Sequence, residues 1–477
     1  MTKSETIQLE KGEEADLKMC PRTTHRHHTG FIILTIIILL GVFLAAVAFW
    51  AYRNGHVTRV THPGAITLYD RTGKTNLSKL DEKSDPHRHF VQFTMDYLES
   101  KYGSDAIKHG GLTVITTIDL NQQRLAADAI ANPQTGIAAV RSAGGSNVAI
   151  LSADPKTGQI LAMIGSHDFN DPDAGQVNMT QTKRQPGSVF MPLVYAAAMK
   201  HNLGPGSTIL DDQTNFGSNG GSYSPINADG KFHGVVSLRQ ALGSSLNIPA
   251  VKLLSDVGIP EVLTLMTSSG LKLDGGPDKY GLSLALGGAE TTLNDLVNSY
   301  ESFANGGVHY APTSVLKVTD FTDKVLEDNT KPAATRAFDP QIAYLISDML
   351  SDQSARKYLL GKTAAFNILG RKAAVKTAIT ERFGDAWTVG FTPDLVTGVW
   401  IGNNDYSQMH SNVADVVSIL WNNFTSGALS AYPKSSSFTK PKGLQTLTLD
   451  ADTGGSVTAT TKTKHTDIFP SWYKAEK

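Results

Sequence analysis

Two hairpin signals set far apart in the chain constrain its fold more than any other feature. The first is "NVAILSADPKTGQILAMIG", Asn147 to Gly165, in which two apolar runs flank a polar Asp154-Pro155-Lys156-Thr157-Gly158 turn. The second is "DAWTVGFTPDLVTGVWIGN", Asp385 to Asn403, turning at Thr392-Pro393-Asp394. Two apolar strands around such a turn read as a hairpin. A further buried strand, "RKAAVKTAIT", Arg371 to Thr380, precedes the second hairpin. Between these ends, helical spacing dominates from Ser237 to Gly306, and "VADVVSILWNNFTSGAL", Val413 to Leu429, reads as a last core helix. Strands at both ends of a unit with helices between them predict an α/β protein of the α+β type. Its expected architecture is one mostly antiparallel sheet flanked by helices.

"FIILTIIILLGVFLAAVAFW", Phe31 to Trp50, is 20 residues without a charge. That length crosses a hydrocarbon core of ~30 Å as a helix. Ala46-Val47-Ala48 also offers a signal-peptide cleavage site, but the run exceeds a usual signal core and its leader carries both signs of charge. An uncleaved anchor is the reading adopted. The expected organisation is a cytoplasmic tail (1–30), one transmembrane helix (31–52), a juxtamembrane linker (53–107), a main domain (108–431), and a linker with a C-terminal tail (432–477). Arg22 and Arg26 precede the span and Arg53 and Arg59 follow it, so charge does not orient it. The linker holds a helical pattern through Phe90, Phe93, Met95 and Leu98. It leads to a strand, Leu112 to Ile118, and a helix capped by Asp119 or Asn121. The C-terminal tail has Thr-rich strand character.

The net charge is −1 and no long basic run occurs, which argues against nucleic acid as a partner. Cys20 is the single cysteine, so neither an internal disulfide nor a Cys-rich zinc site is available. His25, His27 and His28 read as solvated rather than metal-binding. No metal and no cofactor is expected.

Ser188 lies in "RQPGSVFMPLVYAAAMK", just after the Pro186-Gly187 break and at the start of a helix. Alone it reads as a first-turn residue, and Ser245 with Asn247, or Lys376 with Thr377, are equally common by chance. Order and surroundings change that. "RQPGSVFMP", "ALGSSLNIPAVKLL", "GLSLALGGAETTLNDLVNSYESFANGG" and "VKTAITERFGDAWTVGFTPDLVTGVWIGN" follow one another along the chain. In that order they resemble the transpeptidase domain of class A penicillin-binding proteins, from about His109 to Leu429. Their motif set is S-x-x-K, S-x-N and K-T-G.

The resemblance implies a β-lactamase-like fold and a serine acyl-transferase. The implied substrate is a peptidoglycan stem peptide ending in D-Ala-D-Ala, which β-lactams mimic. Ser188 takes the nucleophile position. Ser245 and Asn247 take the second motif, the serine as a proton shuttle and the asparagine as a substrate-amide contact. Lys376 and Thr377 take the third and would receive the substrate carboxylate. The backbone N–H groups of Ser188 and Ile379 would form the oxyanion hole, and Thr380 continues the substrate-binding strand.

The sequence departs from the family pattern at three positions. Met191 stands where the family has its base lysine, and a thioether cannot accept the serine proton. Ala378 stands where the family has glycine, and a methyl there is expected to narrow the site or tilt the strand. Ile379 stands where close relatives carry threonine. Lys183 and Lys200 are poorly placed to substitute as bases. The 53–107 stretch is also too short for the family's glycosyltransferase domain. The expected function is a single-pass, membrane-anchored domain outside the cytoplasm, acting in cell-wall synthesis. It would be catalytically impaired, binding stem peptides or a partner synthase such as a glycosyltransferase. The alternative is an active D,D-transpeptidase or carboxypeptidase acylated on Ser188, with Lys376 as substitute base. A third reading is a structural envelope protein with a relic cleft.

Overall fold

The two hairpins meet. Strand Asn147–Asp154 pairs antiparallel with Gln159–Ile164 on one side and with Leu395–Gly402 on the other, Val396 lying opposite Ala153 and Gly402 opposite Asn147. Leu395–Gly402 pairs with Asp385–Thr392, and Ala374–Ile379 forms the edge of this five-stranded antiparallel sheet. The protein is seen here as a computed structural model that describes residues 64–80, 86–217, 222–359, 363–380, 383–410 and 412–475.

Every residue of Asp385–Thr392 and of Leu395–Gly402 is buried. This explains the unbroken apolar runs: helices cover both faces, so neither face needs polar side chains. Helix Leu293–Ala304 packs against one face, in the core that holds Met191, Tyr300, Phe303 and Phe391. Helix Val413–Ala428 packs against the other with Leu120–Ala131, in a second core around Trp421 and Phe424. Asp119 is the N-cap of Leu120–Ala131, its carboxylate accepting from the N–H groups of Asn121 and Gln122.

The compact unit is wider than the expected 108–431. It runs from Pro63 to Lys477. Strand Thr67–Tyr69 pairs parallel with Thr113–Thr116, which pairs antiparallel with Val315–Thr319, and that strand with Val325–Asp328. Helix Arg88–Tyr102 buries Phe90 and Leu98 completely. The stretch read as a linker is thus partly built into the domain. A three-residue strand carries no readable periodicity, and its partners lie far along the chain. The tail forms a hairpin of Gln445–Asp450 and Lys464–Phe469. The apolar run 31–52, Cys20 and the three clustered histidines lie outside the described residues. Among the described residues no helix is long and apolar enough to cross a membrane.

Candidate active site

Pro192 fixes the local geometry around Ser188. Helix Met191–Ala198 starts just before this proline, whose missing N–H is tolerated only in a first turn. Ser188 therefore sits ahead of the α-helix, in the 3-10 turn Gly187–Phe190. The turn is fastened from several directions. The Trp387 indole donates to Gln185 O (3.0 Å) and the Tyr300 hydroxyl to Val189 O (2.6 Å). The buried Arg184 donates to Asn404 O (2.7 Å), lies 3.5 Å from the Asp385 carboxylate, and stacks on the Tyr406 ring. Gly187 has φ +61, and a Cβ on it would lie 3.1 Å from the Ala378 methyl. A Cβ on Gly287 (φ +82) would lie 2.3 to 2.6 Å from the Gly187 backbone. Strand and loop therefore close on the turn from two sides, and no side chain fits between Gly287 and Gly187.

Ser245 joins the short helix Leu238–Gly243 to helix Asn247–Val257 and takes a left-handed conformation, φ +58. For a non-glycine residue this is strained backbone of the kind that concentrates at functional sites. It aims the Ser245 hydroxyl at Ser188 Oγ (2.9 Å) and leaves it 3.7 Å from the Met191 sulfur. Lys376, only 2% exposed, comes up from the edge strand. Its Nζ lies 2.8 Å from Ser188 Oγ, 2.8 Å from Ser245 Oγ and 2.7 Å from Thr377 O. Ser188 Oγ also donates to Thr377 O (3.2 Å). Among the described residues no carboxylate makes an ion pair with Lys376. Burial, and then the Arg356 charge, push its amine well below the ordinary lysine range. Three contacts suit an ammonium with three donors. A neutral amine, with two donors and one lone pair, fits when the Ser188 hydroxyl turns its proton from Thr377 O to Nζ, and burial favours that form.

The edge strand presents its backbone to the same place. Thr380 N–H donates to Asp385 O on the neighbouring strand (3.0 Å). By the alternation of an antiparallel ladder, Ala378 and Lys376 also bond to that strand. Residues 375, 377 and 379 therefore turn their C=O and N–H groups outward. The Ile379 N–H thus points to the side where Ser188 lies. The cleft above has a volume of ≈ 990 Å³. Ser188, Ser245, Asn247, Thr377, Ala378, Ile379 and Thr380 all line it, while Lys376 and Met191 lie beneath.

A profile described as "Penicillin binding protein transpeptidase domain" matches residues 148–417. The chain belongs to the penicillin-binding protein transpeptidase family. It is 31% identical over 394 residues to penicillin-binding protein 2D of Bacillus subtilis, covering 80% of this chain and 54% of that one. It is 35% identical over 263 residues to penicillin-binding protein 1A of Neisseria lactamica, covering 53% of this chain and 32% of the relative. The chain thus spans about half, or less, of these relatives. In fold it is similar to penicillin-binding protein 1A from Haemophilus influenzae, with TM-score 0.69, 19% identity, and 82% and 77% of the two chains covered. It is also similar to PonA1 of Mycobacterium tuberculosis in complex with penicillin V, with TM-score 0.62, 23% identity, and 75% and 97% covered.

Within this penicillin-binding protein fold, the departures take definite places. Met191 is fully buried and packs under Ser245. The Ala378 methyl faces Gly187, where the missing side chain makes room for it, and the strand keeps unbroken register. Asn247 does not turn toward Ser188: its Nδ2 donates to Ile226 O (2.7 Å) and its N–H to Asn227 Oδ1 (2.8 Å). Thr380 bonds across to Asp385, its hydroxyl accepting the Asp385 N–H (2.9 Å). Lys183 pairs with Asp274 and Lys200 with Glu261, so neither serves Ser188. Sequence reasoning missed Arg356 behind Lys376, the Gly287 contact, and the Tyr223–Asp229 segment that lines the cleft beside Asn247. None of these carries a local motif, because each matters only through a partner distant in the chain.

Proposed function

We propose that this chain acts in peptidoglycan synthesis as a slow serine acyl-transferase, with Ser188 as nucleophile and Lys376 as its only base. The observation that carries this reading is the 2.8 Å separation of Lys376 Nζ from Ser188 Oγ in a buried site where, among the described residues, no carboxylate pairs with the amine. The neutral amine takes the Ser188 proton as Oγ attacks the penultimate carbonyl of a stem peptide ending in D-Ala-D-Ala, or a β-lactam carbonyl. The N–H groups of Ser188 and Ile379 receive the developing oxyanion. The proton returns through Ser245 to the departing amine, and an acceptor amine then takes the acyl group by the reverse path. Met191 supplies no second amine. Acylation is therefore slower by ~10²–10⁴ than with a base at that position. The apolar run 31–52 anchors the domain on the outer face of the cell membrane, beside a synthase that polymerises glycan.

A fluorescent penicillin followed by intact mass tests this. The expected result is a slow single adduct at Ser188, accelerated by Met191→Lys and abolished by Lys376→Met. A second reading, binding without turnover, is favoured by the engagement of Asn247 with Ile226 O. It replaces the first if stem peptide binds by calorimetry while no adduct forms in hours.

A further inference from the structure

The outward carbonyls of the edge strand carry two cationic side chains in succession. Lys376 Nζ donates to Thr377 O (2.7 Å), and Arg356 Nη2 donates to Val375 O (2.8 Å) and Leu350 O (2.5 Å). The two heads thus bind neighbouring outward carbonyls, spaced about 7 Å along the strand, and the Arg356 charge acts on Lys376. Both are buried, Arg356 to 5% and Lys376 to 2% exposure. Arg356 lies over the Phe366 ring (4.5 Å), and its Nε has no hydrogen-bond partner among the described residues. Among the described residues neither cation has a carboxylate within ion-pair distance. The other charged groups on elements around the strand are already engaged. Asp348 pairs with Arg239 and Lys372, and Asp385 with Arg184; Asp352 pairs with Arg239, and its charge also acts on Arg356, helping that guanidinium keep its proton. Asp415 sits on helix Val413–Ala428 and lines the cleft, whose lining does not include Lys376.

We infer that Arg356 is a positioning residue that holds Lys376 in its uncharged form and sets the pH at which Ser188 reacts. Two like charges this close in a buried site cannot both persist without counter-ions. An arginine keeps its proton where a lysine yields it. Arg356 also pins Val375 O, and with it the backbone that carries Lys376. The inference rests on Lys376 acting as the base, and it deepens that reading.

The test uses the full chain in detergent, with Arg356→Gln, Arg356→Lys and the parent. Glutamine keeps a donor for Val375 O and removes the charge, while lysine keeps the charge. The Lys376 Nζ titration is followed by NMR on ¹⁵N-lysine-labelled protein, assigned with Lys376→Met. The midpoint is expected to rise by about one pH unit or more in Arg356→Gln and to stay near the parent in Arg356→Lys. The pH profile of acylation by the fluorescent penicillin should move by the same amount, with its high-pH plateau kept. Coincident midpoints in all three proteins, or a uniform rate loss without displacement, would overturn the inference. A displaced NMR midpoint with acylation indifferent to pH, or absent, would support the Arg356–Lys376 coupling and sink Lys376 as the base.

Discussion

Lys376 concentrates the conflict in this site: its amine lies 2.8 Å from Ser188 Oγ and it is buried beside another cation. Its folded pKa lies below its unfolded value near 10.4. Between the two values the unfolded chain binds a proton that the folded chain does not, so stability rises with pH across that window. The penalty vanishes above the unfolded pKa and grows as pH falls. Lys376→Met removes this dependence. The parent should gain stability relative to that variant from pH 7 to 10, by up to about 1.4 kcal/mol per pH unit, read from urea melts. A difference that stays flat with pH would mean Lys376 remains charged. Ala378 shows how a residue-level expectation changes in three dimensions. Glycine-to-alanine on a cleft strand reads as an obstruction, yet the methyl covers Gly187 and the strand runs undistorted. The lysine, the two serines and the threonines were singled out by the family resemblance that the order of their motifs carries. Where Asn247 points was not, because its partner Ile226 belongs to a segment 21 residues upstream.

The nucleophile turn is an element with little internal support. It has four residues, one a left-handed glycine, and depends on bonds from other elements. The Tyr300 hydroxyl is the most buried of these supports, donating to Val189 O from helix Leu293–Ala304. Tyr300→Phe should cost about 1–2 kcal/mol by leaving a buried carbonyl unpaired. It should also slow acylation several-fold, seen as a lower adduct rate at unchanged penicillin saturation. Stability loss without any change in rate would show that the turn holds itself. Gly287→Ala is expected to be harsher, because a methyl at 2.3 Å from Gly187 N has no room. Both hairpins, the last core helix and the Asp119 cap were readable as elements, since each follows from local pattern. The 3-10 form of the nucleophile turn follows from Pro192, a signal present in the chain but easily read as simple helix continuation.

At the scale of the molecule, the C-terminal hairpin belongs to the folded unit. Phe469 is fully buried, with its ring where side chains on Gly204 and Gly206 would otherwise lie. Arg239 ties Asp467 of the hairpin to Asp348 and Asp352, and the Trp472 indole donates to Met199 O at the end of the helix that follows Ser188. Phe469→Ala should destabilise the domain by about 3–5 kcal/mol, measured by urea unfolding, with one cooperative transition retained. If stability is unchanged, or a separate transition appears for the hairpin, the tail is an independent appendage.

The sequence alone determined the fold class and, through the family resemblance of its ordered motifs, the family; that resemblance also pointed to Ser188, Ser245 and Lys376, which the structure brings together. These depend on hydrophobic period, turn chemistry and the order of motifs, all written locally along the chain. Only the tertiary structure decided what those residues do to one another. It placed Lys376 within hydrogen-bonding distance of the nucleophile, set Arg356 behind it, and turned Asn247 away. The physical reason is that protonation state and hydrogen-bond choice follow from burial and from neighbours that lie about twenty to nearly two hundred residues away in the chain. No local pattern encodes either.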